Sequence, residues 1–271
     1  MSRSFFGRST RLPLALAAVA LAGCPPRAPP PDLSLDPAQL LAQVRAAQAR
    51  VTSVRGEVRV RIEGRGTSGT APAFVAAKKP DRVHVRTADF FGNTVSALTT
   101  SGGELSLYDA RERVVYRGAA TPENVGRLVP VPLSAPDLAT LLCGSAPILE
   151  GEPVRAVPGR GFVELEIAAG DRRQVLQVGA GAAVLSSSIA VPAGGPGAYD
   201  VAFRDFDAFQ GLRFPAEVAL SSREPALSLR LTWTEVETSV PLEDRLFEPP
   251  VPRGARVVDL DQTPPPAGLF P

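Results

Sequence analysis

The chain has few of the side chains that most enzyme and metal sites require. Its 271 residues include one histidine, His84, and two cysteines, Cys24 and Cys143. This number excludes a zinc site built from histidine and cysteine ligands. The sequence also lacks a glycine-rich phosphate loop and a Gly-x-Ser-x-Gly nucleophile elbow. We therefore expect no catalytic residue, no metal and no cofactor, and a hydrolase is disfavoured.

The chain also has no large excess of positive or negative charge. The formal net charge is +1, and three of the basic residues, Arg3, Arg8 and Arg11, lie close to the N-terminus. Proteins that bind nucleic acid usually have a clustered basic excess. We therefore expect no nucleic-acid partner.

The N-terminal segment has the layout of a secretory signal. Its basic start precedes a short apolar run from Leu12 to Ala22, which is shorter than the roughly 20 residues that span a bilayer. The sequence Leu21-Ala22-Gly23-Cys24 resembles a bacterial lipobox, in which the cysteine is lipidated and the preceding signal is removed. We predict a signal peptide over residues 1–23 and lipidation of Cys24. The alternative is an ordinary export signal that happens to contain a cysteine.

Prolines follow directly after Cys24. Five of the seven residues at 25–31 are proline, and such a segment favours an extended polyproline II spacer. We predict that residues 24–35 form a lipidated tether. Because acylation would occupy Cys24, only Cys143 would remain, and the domain could not contain an internal disulfide.

Apolar and polar residues alternate with a period of two from Val54 onward, which is typical of strands with one wet face. Glycine- and proline-rich turns separate these runs, and we expect about ten or eleven strands in one strongly curved antiparallel sheet. Asp36-Pro37, Thr121-Pro122 and Ser134-Ala135 each predict the start of a helix. The concave face either packs tightly beneath the helices or encloses a ligand cavity.

Two adjacent phenylalanines, Phe90 and Phe91, lie where strand 82–87 must turn back into strand 94–100. One interpretation buries at least one ring beneath the sheet. In the other, one or both rings project as an apolar tip that contacts a membrane or an acyl chain of a cargo molecule. The sequence leaves both interpretations open.

These features resemble the LolA/LolB superfamily of bacterial lipoprotein-sorting proteins, and more closely its membrane-anchored receptor branch, LolB. The resemblance comprises the lipobox ending at Cys24, the glycine-containing strand 54–60, the turn 89–93, where the receptor has a protruding apolar residue, and the helix–proline–helix stretch 125–144. The ending 247–259 is similar to the Pro-Pro-x-Gly tail of the soluble carrier LolA. The chain departs from the receptor in its Phe-Phe tip, its longer proline spacer and the absence of an early tryptophan.

The resemblance implies a mainly β fold, an incomplete, half-open antiparallel β-barrel of about 11 strands over residues 36–260. An N-terminal helix and a short two-helix insert would form its lid, and a proline-rich tail would occupy residues 261–271. It also implies a hydrophobic cavity for acyl chains. The candidate lining residues are Val58, Val60, Val83, Val85, Leu105, Leu107, Leu229, Leu231 and Trp233.

The function implied is that of an anchored envelope lipoprotein that binds lipoprotein acyl chains and helps to insert lipoproteins into the outer membrane. A soluble LolA-like carrier would be a partner. Pro25, rather than aspartate, follows Cys24, which favours the periplasmic face of the outer membrane. The alternative is a scaffold lipoprotein that uses the same fold to bind a protein partner or another lipid, without a transport role.

Replacing Cys24 tests the anchor. Cys24→Ala should abolish incorporation of radiolabelled palmitate and release the protein from the membrane fraction, because the variant lacks the thiol that receives the lipid. Cys143→Ala is the matched control and should retain both the label and the membrane association. Equal labelling of wild type and Cys24→Ala would contradict lipidation at this residue.

Overall fold

A computed structural model describes residues 28–64, 67–128, 133–191, 197–209, 212–223, 226–248 and 251–262. The predicted signal peptide, the lipobox residues Leu21, Ala22 and Gly23, and Cys24 lie outside the described residues. Most of the predicted C-terminal tail also lies outside them. The anchor therefore remains a prediction from sequence.

The described residues form one large curved sheet of 14 strands with three α-helices. The strands are Ser53–Gly64 (β1), Thr67–Lys78 (β2), Arg82–Ala88 (β3), Thr94–Ser101 (β4), Glu104–Asp109 (β5), Val114–Ala119 (β6), Glu152–Pro158 (β7), Val163–Ala169 (β8), Arg172–Gly179 (β9), Ala183–Ala190 (β10), Tyr199–Phe209 (β11), Leu212–Arg223 (β12), Ala226–Thr238 (β13) and Arg256–Asp259 (β14). The helices are Pro37–Ala49 (α1), Pro122–Leu128 (α2) and Ala135–Leu142 (α3).

The chain builds the sheet from its middle. The spatial order is β14-β6-β5-β4-β3-β2-β1-β13-β12-β11-β10-β9-β8-β7. Successive hairpins run outward from β1 to β6, and after α2 and α3 the chain returns at the far edge, β7, and runs inward to β13. Strands β1 and β13 then join the two halves in antiparallel register. In the described part of the chain β14 and β7 are not paired with each other, so the barrel is incomplete, as the sequence predicted.

The structure contains more strands than the predicted eleven, and one pairing differs in direction. Strand β14 lies parallel to β6, with Arg256 opposite Val114 and Asp259 opposite Arg117. The C-terminal segment leaves β13 in the middle of the sheet and pairs with β6, the last strand of the first half. A strand of four residues without strong alternation carries little local signal.

Local capping interactions define where the helices begin. Asp36 accepts a hydrogen bond from the backbone N–H of Gln39 at 2.8 Å and caps α1, which has proline at its first position. Ser134 and Asp137 form a capping box at the start of α3. Both starts agree with the sequence prediction.

The concave side of the sheet holds three apolar clusters. The first surrounds Leu40 and Val44 of α1 and strands β8–β12. The second lies beneath the C-terminal half of α3 and includes Phe214 and Trp233, whose ring centroids are 6.0 Å apart. The third lies under α2 around Leu105. The first and third clusters each belong mainly to one half of the sheet, whereas the second combines strands β1–β3 of one half with β12 and β13 of the other.

The C-terminal segment covers part of the convex side. Phe247 and Leu242 pack there against Ala76, and Asp244 forms ion pairs with Arg82 and Lys78. His84 alternates with Val83 and Val85, a pattern that predicts a solvent-facing position, but the residue is only 7% exposed. Burial, followed by the charge of Arg86, lowers the pKa of His84. A pattern within one strand cannot reveal that a distant segment covers it.

Gly56 allows β1 and β13 to approach closely at the irregularity between Glu57 and Val58. A Cβ atom on residue 56 would lie 2.0 Å from the backbone oxygen of Glu235. We expect Gly56→Ala to lower the free energy of unfolding by about 2–4 kcal/mol, since two backbones would have to separate. Urea unfolding, with the m value checked for constancy, measures this loss.

Gly170→Ala is the control for the effect of glycine itself. Gly170 has φ 61° and no atom within 4 Å of an added Cβ, so only backbone strain, about 1 kcal/mol, is expected. Equal losses for the two variants would contradict the close-approach argument.

Candidate functional site: an apolar cavity and an exposed aromatic turn

An apolar cavity of about 150 Å³ lies between the concave sheet and α3. Strands from both halves of the sheet contribute to it, together with the segment that carries α3. The lining residues are Val60, Ile62, Val83, Val85, Thr87, Ser96, Leu98, Leu107, Leu133, Leu138, Leu141, Leu142, Val218, Leu220, Leu229 and Leu231. None of them carries a charge, and such a lining suits a hydrocarbon chain better than a polar ligand.

Helix α3 covers the cavity. Leu138 packs against all three apolar clusters of the concave side, so the cavity lies where the clusters meet. At the start of the helix, the backbone N–H of Asp137 donates a hydrogen bond to the Ser134 hydroxyl oxygen at 3.2 Å. Gly144, with a φ of +76°, follows the end of the helix. Because α3 has only eight residues and is bounded at both ends, it packs over the sheet as a separate short element.

The two polar lining residues satisfy each other. The hydroxyl oxygens of Thr87 and Ser96 lie 2.7 Å apart across β3 and β4. This pairing reduces the cost of placing hydroxyl groups beside an apolar ligand. The lining includes no histidine, lysine or carboxylate that could activate either hydroxyl group as a nucleophile.

Six of the nine predicted lining residues lie at this cavity: Val60, Val83, Val85, Leu107, Leu229 and Leu231. The other three do not line it. Val58 and Trp233 pack beside Val54 and Cys143 in the second cluster, and Leu105 packs in the third cluster with Val125 and Leu260. Their strands are as predicted, but α2, α3 and the C-terminal segment fill the space over these positions. A ligand-contact role for any of the nine stays a prediction.

Sequence reasoning missed the contribution of α3. The cavity is lined by Leu138, Leu141 and Leu142 of α3 and by Leu133 just before it. In the sequence they could be recognised only as apolar positions on and beside a short helix. Alternation at Val218 and Leu220 was a usable signal for β12. The sequence carried no signal for the position of α3 over the sheet, because that position depends on contacts between residues far apart in the chain.

The turn between β3 and β4 projects both phenylalanine rings into solvent. Phe90 is 97% exposed and Phe91 is 85% exposed, with their ring centroids 5.5 Å apart in an edge-to-face arrangement. The interpretation in which one ring is buried is therefore wrong for this structure. Exposure of two large apolar rings on one turn is unusual for a surface without a binding role.

Asp89 holds this turn in shape. One carboxylate oxygen accepts hydrogen bonds from the backbone N–H groups of Phe91 and Asn93, each at 2.9 Å, and the other accepts from the Asn93 side chain at 3.0 Å. These bonds, those from Asn93 foremost, lower the pKa of Asp89. The turn is thus preorganised, and exposure of the rings is not a consequence of a loose loop.

Cys143 lies buried at the end of α3. Burial raises the pKa of its thiol to about 12, and the nearby charge of Lys79 opposes this only in part. The Lys79 ammonium donates a hydrogen bond to the Gln48 carbonyl oxygen at 2.7 Å. A neutral, buried thiol is a packing group and not a nucleophile.

Two further findings concern the described ranges only. Within them, no group of three or more histidine, cysteine, aspartate or glutamate side chains is arranged to hold a metal ion. None of the helices described is long and apolar enough to cross a bilayer.

Solved structures that resemble this fold include the following three. A proposed outer membrane lipoprotein-sorting protein domain from Vibrio parahaemolyticus has a TM-score of 0.56 at 12% identity, covering 77% of this chain and 94% of that one. A LolA superfamily protein from Nitrosomonas europaea has a TM-score of 0.54 at 13% identity, covering 79% and 98%. A DUF1329 family protein from Desulfovibrio piger has a TM-score of 0.54 at 14% identity, also covering 79% and 98%. No protein-family model and no curated protein sequence matches the chain.

The chain has the same fold as these proteins, one of which is a LolA superfamily protein. This confirms the family resemblance at the level of fold: a mainly β, half-open sheet with a helical lid over its concave face. At identities of 12–14% the likeness concerns the fold alone.

The thiol of Cys143 gives a test of the packing around α3. In Cys24→Ala, where Cys143 is the remaining thiol, maleimide at about pH 8 should react at least about 100-fold more slowly with the folded than with the urea-unfolded protein. Above about pH 9 the Cys143 thiol keeps its proton in the folded state but loses it in the unfolded state. The free energy of unfolding should therefore fall as the pH rises from about 9 towards about 12. Equal reactivity of the folded and unfolded protein would show that the thiol is accessible.

Proposed function

We propose that the chain is a lipid-anchored envelope protein that binds acyl chains of lipoproteins in the cavity beneath α3. The observation that supports this most strongly is the uncharged, almost entirely apolar lining of that cavity. The likeness to folds that include a proposed lipoprotein-sorting domain agrees with it. The absence of a charged lining residue argues for a ligand without a charge at the buried end.

Energetics favour such a ligand. Each methylene transferred from water to an apolar site contributes about 0.8 kcal/mol. An acyl chain therefore gains enough from a purely apolar lining to bind without covalent chemistry. Release to a bilayer costs little, because the hydrocarbon interior of the membrane offers the same gain.

The cavity must widen to accept a chain. Its volume of about 150 Å³ is below the roughly 300–1,000 Å³ of ordinary ligand pockets. Helix α3 is the element that can make room, because it supplies three leucines to one wall and, among the residues that the structure describes, no hydrogen bond joins it to a strand. Loading would then exchange contacts of α3 with the sheet for contacts of both with the ligand.

The finer parts of the proposal come from the sequence. Cys24 would hold the protein on the periplasmic face of the outer membrane, through the tether 24–35. Phe90 and Phe91 would contact the membrane or the cargo, and a soluble LolA-like carrier would deliver lipoproteins for insertion. The fixed exposure of both rings supports this placement of the contact turn.

Filling the cavity tests acyl-chain binding. Val85 is only partly buried and lines the cavity, so Val85→Trp can extend into it. We expect the dissociation constant for a fluorescent fatty acid to rise at least about tenfold, which corresponds to about 1.4 kcal/mol. Fluorescence titration measures the change.

The control variant introduces a tryptophan outside the cavity. Val154 on β7 is 52% exposed, and Val154→Trp should leave fatty-acid affinity unchanged. Circular dichroism on both variants verifies that the fold is retained. Saturable binding that is as tight in Val85→Trp as in wild type would place the ligand outside this cavity.

A further inference from the structure

Two neighbouring turns form one end of the sheet. The first, 89–93, carries Phe90 and Phe91. The second, between β5 and β6, lies beside it, since the backbone N–H of Ala110 donates a hydrogen bond to Val95 at 3.0 Å. The C-terminal segment joins this second turn, because the Arg256 N–H donates to the Arg113 carbonyl oxygen at 2.9 Å.

Four arginines are exposed around the second turn: Arg111, Arg113, Arg253 and Arg256. Arg113 also reaches the carbonyl oxygen of Arg253 at 3.4 Å, which brings the two residues together. Within the described ranges, no carboxylate lies within ion-pair distance of any of the four guanidinium groups. Each group can therefore bind an anion from outside.

Most carboxylates at this end of the sheet accept hydrogen bonds from backbone N–H groups of their own turns. Asp89 accepts hydrogen bonds within 89–93, and Asp109 accepts from the backbone N–H groups of Arg111 and Glu112 at 2.8 and 3.1 Å. Only the Glu112 carboxylate has no such bond in the described structure. The four guanidinium groups thus outnumber the free acidic group facing them.

Exposed apolar side chains concentrate in the same region. Six large apolar side chains are exposed in the described chain, and four of them are Phe90, Phe91, Val251 and Val257. Val251 borders the same outer cleft as Thr94, the residue after the aromatic turn, and Val257 lies on β14 beside β6. We call Phe90, Phe91 and the four arginines the aromatic–basic surface.

We propose that the aromatic–basic surface docks on a lipid bilayer that contains anionic headgroups, with Phe90 and Phe91 inserted and the arginines binding phosphate groups. Aromatic rings are suited to the membrane interface, and each arginine near an anionic surface strengthens binding about fivefold. This deepens the proposed function and rests on it for its purpose: it names the surface that meets the membrane during delivery. The cavity itself plays no part in the docking.

The experiment measures cosedimentation of the chain from residue 28 onward with phosphatidylcholine vesicles, with or without phosphatidylglycerol. All the described helices, strands and apolar clusters lie after residue 28, and thermal unfolding checks that this version is folded. We expect binding to be at least about 20-fold tighter with phosphatidylglycerol at about 0.1 M salt, and the difference to vanish near 1 M salt because of screening.

Charge reversal tests the surface against a matched control. Arg111→Glu/Arg253→Glu should lose about 20-fold or more in affinity for the anionic vesicles. Arg155→Glu/Arg160→Glu changes the net charge equally, at exposed arginines on and beside β7, and should retain binding. Phe90→Ser/Phe91→Ser should weaken binding to anionic vesicles and leave it weak at every salt concentration.

Three results would overturn the proposal: equal losses in both charge-reversal pairs, equal binding to the two kinds of vesicle, or no binding to either. Fatty-acid titration on the same samples separates this inference from the proposed function. The Arg111/Arg253 pair should bind fatty acid like wild type. Anionic-vesicle binding without any fatty-acid binding would support the docking surface and refute the proposed cavity function.

Discussion

Contact of α3 with the concave sheet is the interaction on which the rest of the structure depends. The concave side of the half-open sheet carries three apolar clusters, one in each half and one that both halves share. Leu138 packs against all three clusters and joins them. The same helix covers the cavity, so the residues that complete the core are also those that would have to move for a ligand to enter.

Acyl-chain binding and membrane contact are assigned to different parts of this molecule. The cavity is apolar and uncharged, which allows an acyl chain to be held and released through the hydrophobic effect alone. The aromatic–basic surface is exposed, and Asp89 fixes the turn that carries its rings. Because the two regions share no residue, substitutions can alter one and leave the other intact.

Sequence reasoning was accurate where the signal is local. Alternation identified β1, β3, β8 and β13, and the caps at Asp36 and Ser134 identified helix starts, because both patterns depend on neighbouring residues. It was inaccurate for His84, which alternation places on a wet strand face but which is buried beside the C-terminal segment, more than 150 residues later in the chain. Val58, Leu105 and Trp233 pack in apolar clusters outside the cavity, and a ligand contact at these residues stays a prediction. Exposure of Phe90 and Phe91 could not be settled without the turn geometry that Asp89 provides.

Native mass spectrometry of a soluble form lacking residues 1–24, incubated with a triacylated lipoprotein, tests the central claim most directly. If the cavity beneath α3 holds acyl chains, a one-to-one complex should form and should dissociate when liposomes are added. A folded protein that forms no complex, and yields no bound lipid on extraction, would contradict the account and favour a scaffold lipoprotein with this fold.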